Sequence, residues 1–67
     1  MTVVKVIELI SSSTVSIEDA IENAVAEASK TVRNIDSVYV ADIKAHVKDG
    51  TVTTYGVVCK ISFRLDG

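Results

Sequence analysis

The sequence predicts an α+β domain of order β-α-β-β, with a three-stranded antiparallel sheet carrying one helix on one face. Three observations predict it: an N-terminal run of β-branched residues, one segment with helical periodicity, and a C-terminal half whose apolar period is two. The 67 residues make a single domain, 1–67.

Thr2 to Ile10 (TVVKVIELI) is rich in valine and isoleucine and reads as the first strand. Ser11 to Thr14 follow as a polar turn, and Ser16 is a good helix N-cap, with Glu18 and Asp19 where the helix dipole favours negative charge. Ile17, Ala20, Ile21, Ala24, Val25, Ala28 and Val32 then fall on one continuous helical face. Glu22, Glu27, Lys30 and Arg33 lie mostly off that face, and Lys30 and Arg33 suit a last helical turn closed by Asn34. Alanines on or near the buried face allow the helix to lie close to a sheet.

From Ile35 onward the pattern alternates. Ser37, Tyr39, Ala41, Ile43, Ala45 and Val47 share one side of a second strand, and Tyr55, Val57, Cys59, Ile61, Phe63 and Leu65 share one side of a third. Lys48-Asp49-Gly50 joins them as a hairpin. A two-residue Asp49-Gly50 loop sets Val47 against Val52 and the two apolar sets on opposite faces. A three-residue loop pairs Ile43 with Tyr55, Ala41 with Val57 and Tyr39 with Cys59, bringing the apolar sets together, so it is the register expected. The other face then carries Lys44 beside Thr54, Asp42 beside Gly56 and Val38 beside Lys60. With the third strand in the middle, every pairing is antiparallel.

Size sets a further constraint. A core this small rarely contributes more than about 3–5 kcal/mol without disulfides, metal or subunit contacts. One cysteine, Cys59, forbids an internal disulfide, and one Cys with one His46 is too few for structural zinc. The chain is 48% hydrophobic, more than one sheet and one helix hide, so subunit contacts are the remaining source of stability. The net charge of −2, with basic residues spread along the chain, removes the usual electrostatic support for nucleic-acid binding. The N-terminal apolar run is broken by Lys5 and Glu8, too charged and short for a membrane span or signal peptide. The free thiol points to the cytoplasm.

No convergent acid, base and nucleophile are visible, and the expectation is that the chain is not an enzyme. His46 reads as a solvated strand histidine and Cys59 as a buried small hydrophobe. Asp42 and Lys44 read either as a surface ion pair or as groups facing a ligand held between subunits. Gly56 interrupts a β-branched strand, marking either a bulge or bend, or room for a neighbouring chain or ligand.

The opening VKVIELI, the helical SIEDAIENAVAEASKTVRNID and the closing TYGVVCKISFRLD together resemble the dodecin family, most specifically at ASKTVRNID (Ala28 to Asp36) and SFRLD (Ser62 to Asp66). The resemblance implies a β-α-β-β fold whose antiparallel sheet partly wraps the helix. It also implies a hollow shell of twelve identical subunits that stores or buffers flavin: riboflavin, FMN or FAD. By alignment with that family the flavin-pocket positions are Ser37, Asp42, Lys44 and Gly56. Where flavin-binding dodecins place a stacking tryptophan this chain has Ser37, and where they place a ring-binding glutamine it has Gly56; it contains no tryptophan at all. Some relatives that lack the tryptophan are described as calcium-binding, so a flavin-free structural or ion-binding assembly is the alternative the resemblance carries.

Overall fold

The computed structural model describes residues 2–65. It contains β1 (Val3–Ser13), α1 (Ile17–Ala28), β2 (Ile35–Lys48) and β3 (Thr51–Leu65). The sheet order is β1-β3-β2, with both pairings antiparallel. This is the predicted topology. Asp66, the last residue of the SFRLD motif, lies outside the described residues.

β1 runs three residues further than its apolar pattern indicates. Ser11, Ser12 and Ser13 pair with Val57, Gly56 and Tyr55, because the long β3 still offers backbone partners there. The polar turn is correspondingly short and is organised by Ser13, which is buried. Its Oγ accepts from the Val15 N–H at 2.9 Å and donates to Asp19 Oδ2 at 2.6 Å. Ser16 caps α1 as expected, its Oγ accepting from the Asp19 N–H at 3.0 Å.

α1 is shorter than the periodicity implies. It ends at Ala28, and residues 29–31 form a turn in which the Ala28 carbonyl accepts from both Thr31 and Val32 N–H. Lys30 therefore lies beyond the last helical turn, where it pairs with Glu27 at 3.1 Å on the exposed surface, a contact worth little. Asn34 adopts a left-handed backbone, φ 62°, and turns the chain into β2.

The core is built from small residues on the helix and branched ones on the central strand. Ala20, Ala24 and Ala28 are buried against Val57, Cys59 and Ile61. With alanine methyl groups at the centre of the contact, the helix lies close to β3, and Ile17 and Ile21 of the helix with Ile7, Leu9, Val38 and Val40 of the sheet close the sides. Complete burial of a side chain such as Ile61 contributes about 1.5–3 kcal/mol.

The hairpin differs from the expected register. Asp49 and Gly50 both have positive φ, 52° and 77°, the signature of a two-residue type I′ turn. Val47 pairs with Val52 and Lys48 with Thr51. The apolar sets still come together because the ladder shifts at three places, between Ile35 and Ser37, Val40 and Asp42, and His46 and Val47. Each inserted residue reverses which side of the strand faces the helix. Between the first two shifts β2 is inverted relative to strict alternation: Val38 and Val40 pack on the core, while Ser37 and Tyr39 point to the opposite face. Past Ala41 the expected sides return, but Ile43 now lies opposite Val57 and Lys44 opposite Gly56, two residues from the expected partners.

Replacing Ala24 by leucine is expected to overpack the helix–sheet contact and destabilise the protein by about 1–3 kcal/mol. The measurement is urea unfolding at fixed protein concentration. An unchanged midpoint would mean that the helix is not held against β3 by its alanine face.

Candidate functional site

The face of the sheet turned away from α1 has no covering layer within the chain. Its side chains follow from the ladder. Ser37, Ser62 and Val6 form one row; Tyr39, Lys60 and Glu8 the next; then Asp42, Val58 and Ile10; then Lys44, Gly56 and Ser12. The four positions expected to line a ligand pocket thus share one face.

Three of the four converge. Asp42, Lys44 and Gly56 line a shallow cleft of about 110 Å³ together with Ile10, Val57 and Val58. Ser37 does not line it. It sits two rows away, its hydroxyl 2.6 Å from that of Ser62, and the two form a cross-strand pair at the surface. The cleft combines an aliphatic wall, a carboxylate and an ammonium group. One Asp42 oxygen already accepts the Ile43 N–H at 2.9 Å, which fixes the carboxylate close to the sheet.

Gly56 occupies a regular rung of the ladder, not a bulge, since none of the register shifts falls there. A Cβ added at Gly56 would find its nearest neighbours at 3.7 Å, the Lys44 carbonyl oxygen, and at 4.0 Å, the Ser11 carbonyl oxygen. These are ordinary contacts, so glycine is not demanded by backbone strain or crowding. Its effect is to leave the floor of the cleft open.

The remaining chemically capable groups lie apart from this cleft. Cys59 is buried on the helix side, and burial raises its thiol pKa, which keeps it protonated and inert. His46 is exposed, with Nδ1 3.0 Å from Thr54 Oγ1. A wider, open hollow of about 520 Å³ lies toward the other end of β3, between Arg33, Asn34, Phe63 and Arg64, and contains none of the four expected residues. Among the described residues no three His, Cys, Asp or Glu side chains are grouped to hold a metal ion. No helix among them is long and apolar enough to cross a membrane.

Residues 3–66 match the family model described as Dodecin. The chain belongs to the dodecin family. A dodecin from Thermus thermophilus is 38% identical over 64 residues, covering 96% of this chain and 93% of that protein. The structure of dodecin from Streptomyces coelicolor superposes with a TM-score of 0.90 at 32% identity, covering 98% of this chain and 94% of that one. The calcium dodecin of Mycobacterium tuberculosis, described as a calcium-chelating immunodominant antigen with a novel calcium-binding site, superposes with a TM-score of 0.81 at 31% identity, covering 96% and 91%. The order of the elements, the three-stranded antiparallel sheet and the single helix match those dodecin structures.

Two cleft residues, Ile10 and Val58, were not singled out from sequence. Both look like ordinary alternating strand residues there. The available signal was pairing: once β3 is central, Ile10 and Asp42 flank Val58 from opposite edges.

Gly56→Ala is expected to stabilise the chain by about 0.4–1 kcal/mol, because it lowers the entropy of the unfolded state without a native clash. Thermal unfolding at fixed concentration checks this. A lower midpoint would mean that something closer than the carbonyls of Lys44 and Ser11 meets the new methyl group.

Proposed function

We propose that this chain is a non-catalytic subunit of a hollow homododecameric shell that binds and buffers a small ligand, by family a flavin: riboflavin, FMN or FAD. The observation that carries the reading is the convergence of Asp42, Lys44 and Gly56 on one cleft of the uncovered sheet face. At about 110 Å³ the cleft is well below the roughly 300–1,000 Å³ of complete small-molecule sites. A second copy supplies the missing wall. The exposed apolar side chains favour such an assembly: Ile10 is 83% exposed, Val47 64% and Ile43 54%, more than an isolated small domain usually leaves to water. The aliphatic wall suits the edge of a flat ring, and the carboxylate and ammonium suit its polar atoms.

A second reading has its own support. Ser37, at the position of the stacking tryptophan, is already hydrogen-bonded to Ser62 and offers no ring to a flavin. The similarity to a calcium dodecin makes a flavin-free, ion-binding or structural assembly the alternative. With no acidic cluster grouped within the described residues of one chain, calcium would be held between copies.

Titrating the purified protein with riboflavin and FMN while following flavin fluorescence separates the two. The first reading expects saturable quenching near about one flavin per subunit, with an affinity in the micromolar range or tighter. No quenching at roughly tens of micromolar protein, together with calcium binding by isothermal titration, would replace it with the second.

A further inference from the structure

We propose that Tyr39 is the aromatic platform of the ligand cleft, its ring stacking on the flat face of the flavin ring system. The inference rests on the flavin reading above and adds a residue that neither sequence alternation nor the pocket positions indicate. Strict alternation puts Tyr39 on the helix side and Asp42 on the other. The extra residue at Ala41 overrides it: Tyr39 pairs with Lys60 and Asp42 with Val58, so both point to the face that carries the cleft. Lys60 and Val58 are two residues apart on β3, which separates the two rows by about 7 Å. An aromatic side chain spans that distance.

Tyr39 is also the one aromatic residue on this face. Of the chain's three aromatics, Tyr55 and Phe63 follow the register of Val57, Cys59 and Ile61 toward the helix side. The Tyr39 side chain is 69% exposed, so its ring is free to meet a ligand. Tyr39 does not itself line the cleft; with Lys60 and Glu8 it forms the row next to that of Asp42, Val58 and Ile10, whose side chains do. A flat heteroaromatic ligand seated over the cleft would meet aliphatic side chains at its edge and the Tyr39 ring on its face. Offset stacking of that kind adds affinity beyond the area it buries.

Riboflavin affinity measured by equilibrium dialysis tests this independently of fluorescence, for the wild type and for Tyr39→Leu, Tyr39→Phe and Tyr39→Trp, with light scattering to confirm an unchanged assembly mass. Tyr39→Leu keeps apolar bulk but removes the ring, and is expected to weaken binding by about two- to tenfold. Tyr39→Phe is expected to bind like the wild type and Tyr39→Trp more tightly. A leucine variant that binds like the wild type overturns the role of Tyr39 and leaves the flavin reading standing. Wild-type protein that retains no riboflavin overturns both. Should the leucine variant fail to assemble, the Trp variant decides: tighter binding supports the stack, and binding no tighter than the wild type overturns it.

Discussion

Everything in this fold depends on the contact between the alanine face of α1 and the central strand. Ala20, Ala24 and Ala28 admit the helix close to Val57, Cys59 and Ile61, and the resulting core is small. A helix of 12 residues is about 18 Å long. The sheet it covers contains a strand of 15 residues, and the molecule extends over 52 Å. One helix therefore shelters only part of one face of one sheet. The far end of the β2–β3 arm and the whole opposite face are left without cover from the chain itself. Exposed Ile10, Ile43 and Val47 follow from that mismatch, and so does a cleft with no covering wall from the chain itself.

The shifts in the β2–β3 ladder are the second determinant, and they link packing to function. Val38 and Val40 face the helix and close the core, and Ile43 lies on the same side of the sheet further along the strand, opposite Val57 but beyond the helix's cover, at an odd separation from them. The extra residue at Ala41 reconciles them. In doing so it turns Tyr39 outward and keeps Asp42 and Lys44 outward, so the side chains of the uncovered face are placed by a demand of the core. The turn behaves likewise: two left-handed residues, Asp49 and Gly50, suit a tight hairpin, and the shift near Thr53 then restores the apolar pairing.

The elements, their order and the helix cap were legible because each is a local pattern: β-branched runs, a 3.6-residue period, and a serine before an acidic first turn. The outward placement of Asp42 and Lys44 was legible for the same reason. Register was not. Unbroken alternation favours the three-residue loop and puts Ser37 and Tyr39 on the helix side, whereas the register shifts put both on the opposite face. The sequence did hold a signal, the three-residue step from Val40 to Ile43 in an otherwise two-residue apolar rhythm, which is what an inserted residue produces. The helix end was overrun because Val32 continues the apolar face after the helix has stopped at Ala28. At Gly56 a residue type alone did not distinguish a bulge from an open floor; only the neighbouring carbonyls at 3.7 and 4.0 Å decide it.

The central claim is that this sheet is completed by other copies of the same chain. Its most direct test is the native mass of the purified protein at micromolar concentration, by mass spectrometry under non-denaturing conditions, with circular dichroism on the same sample. The expected result is a folded species near twelve times the 7.2 kDa chain, with no folded monomer on dilution until the assembly itself is lost. A stable, folded 7.2 kDa monomer would contradict the account, because it would mean that α1 and one face of the sheet suffice.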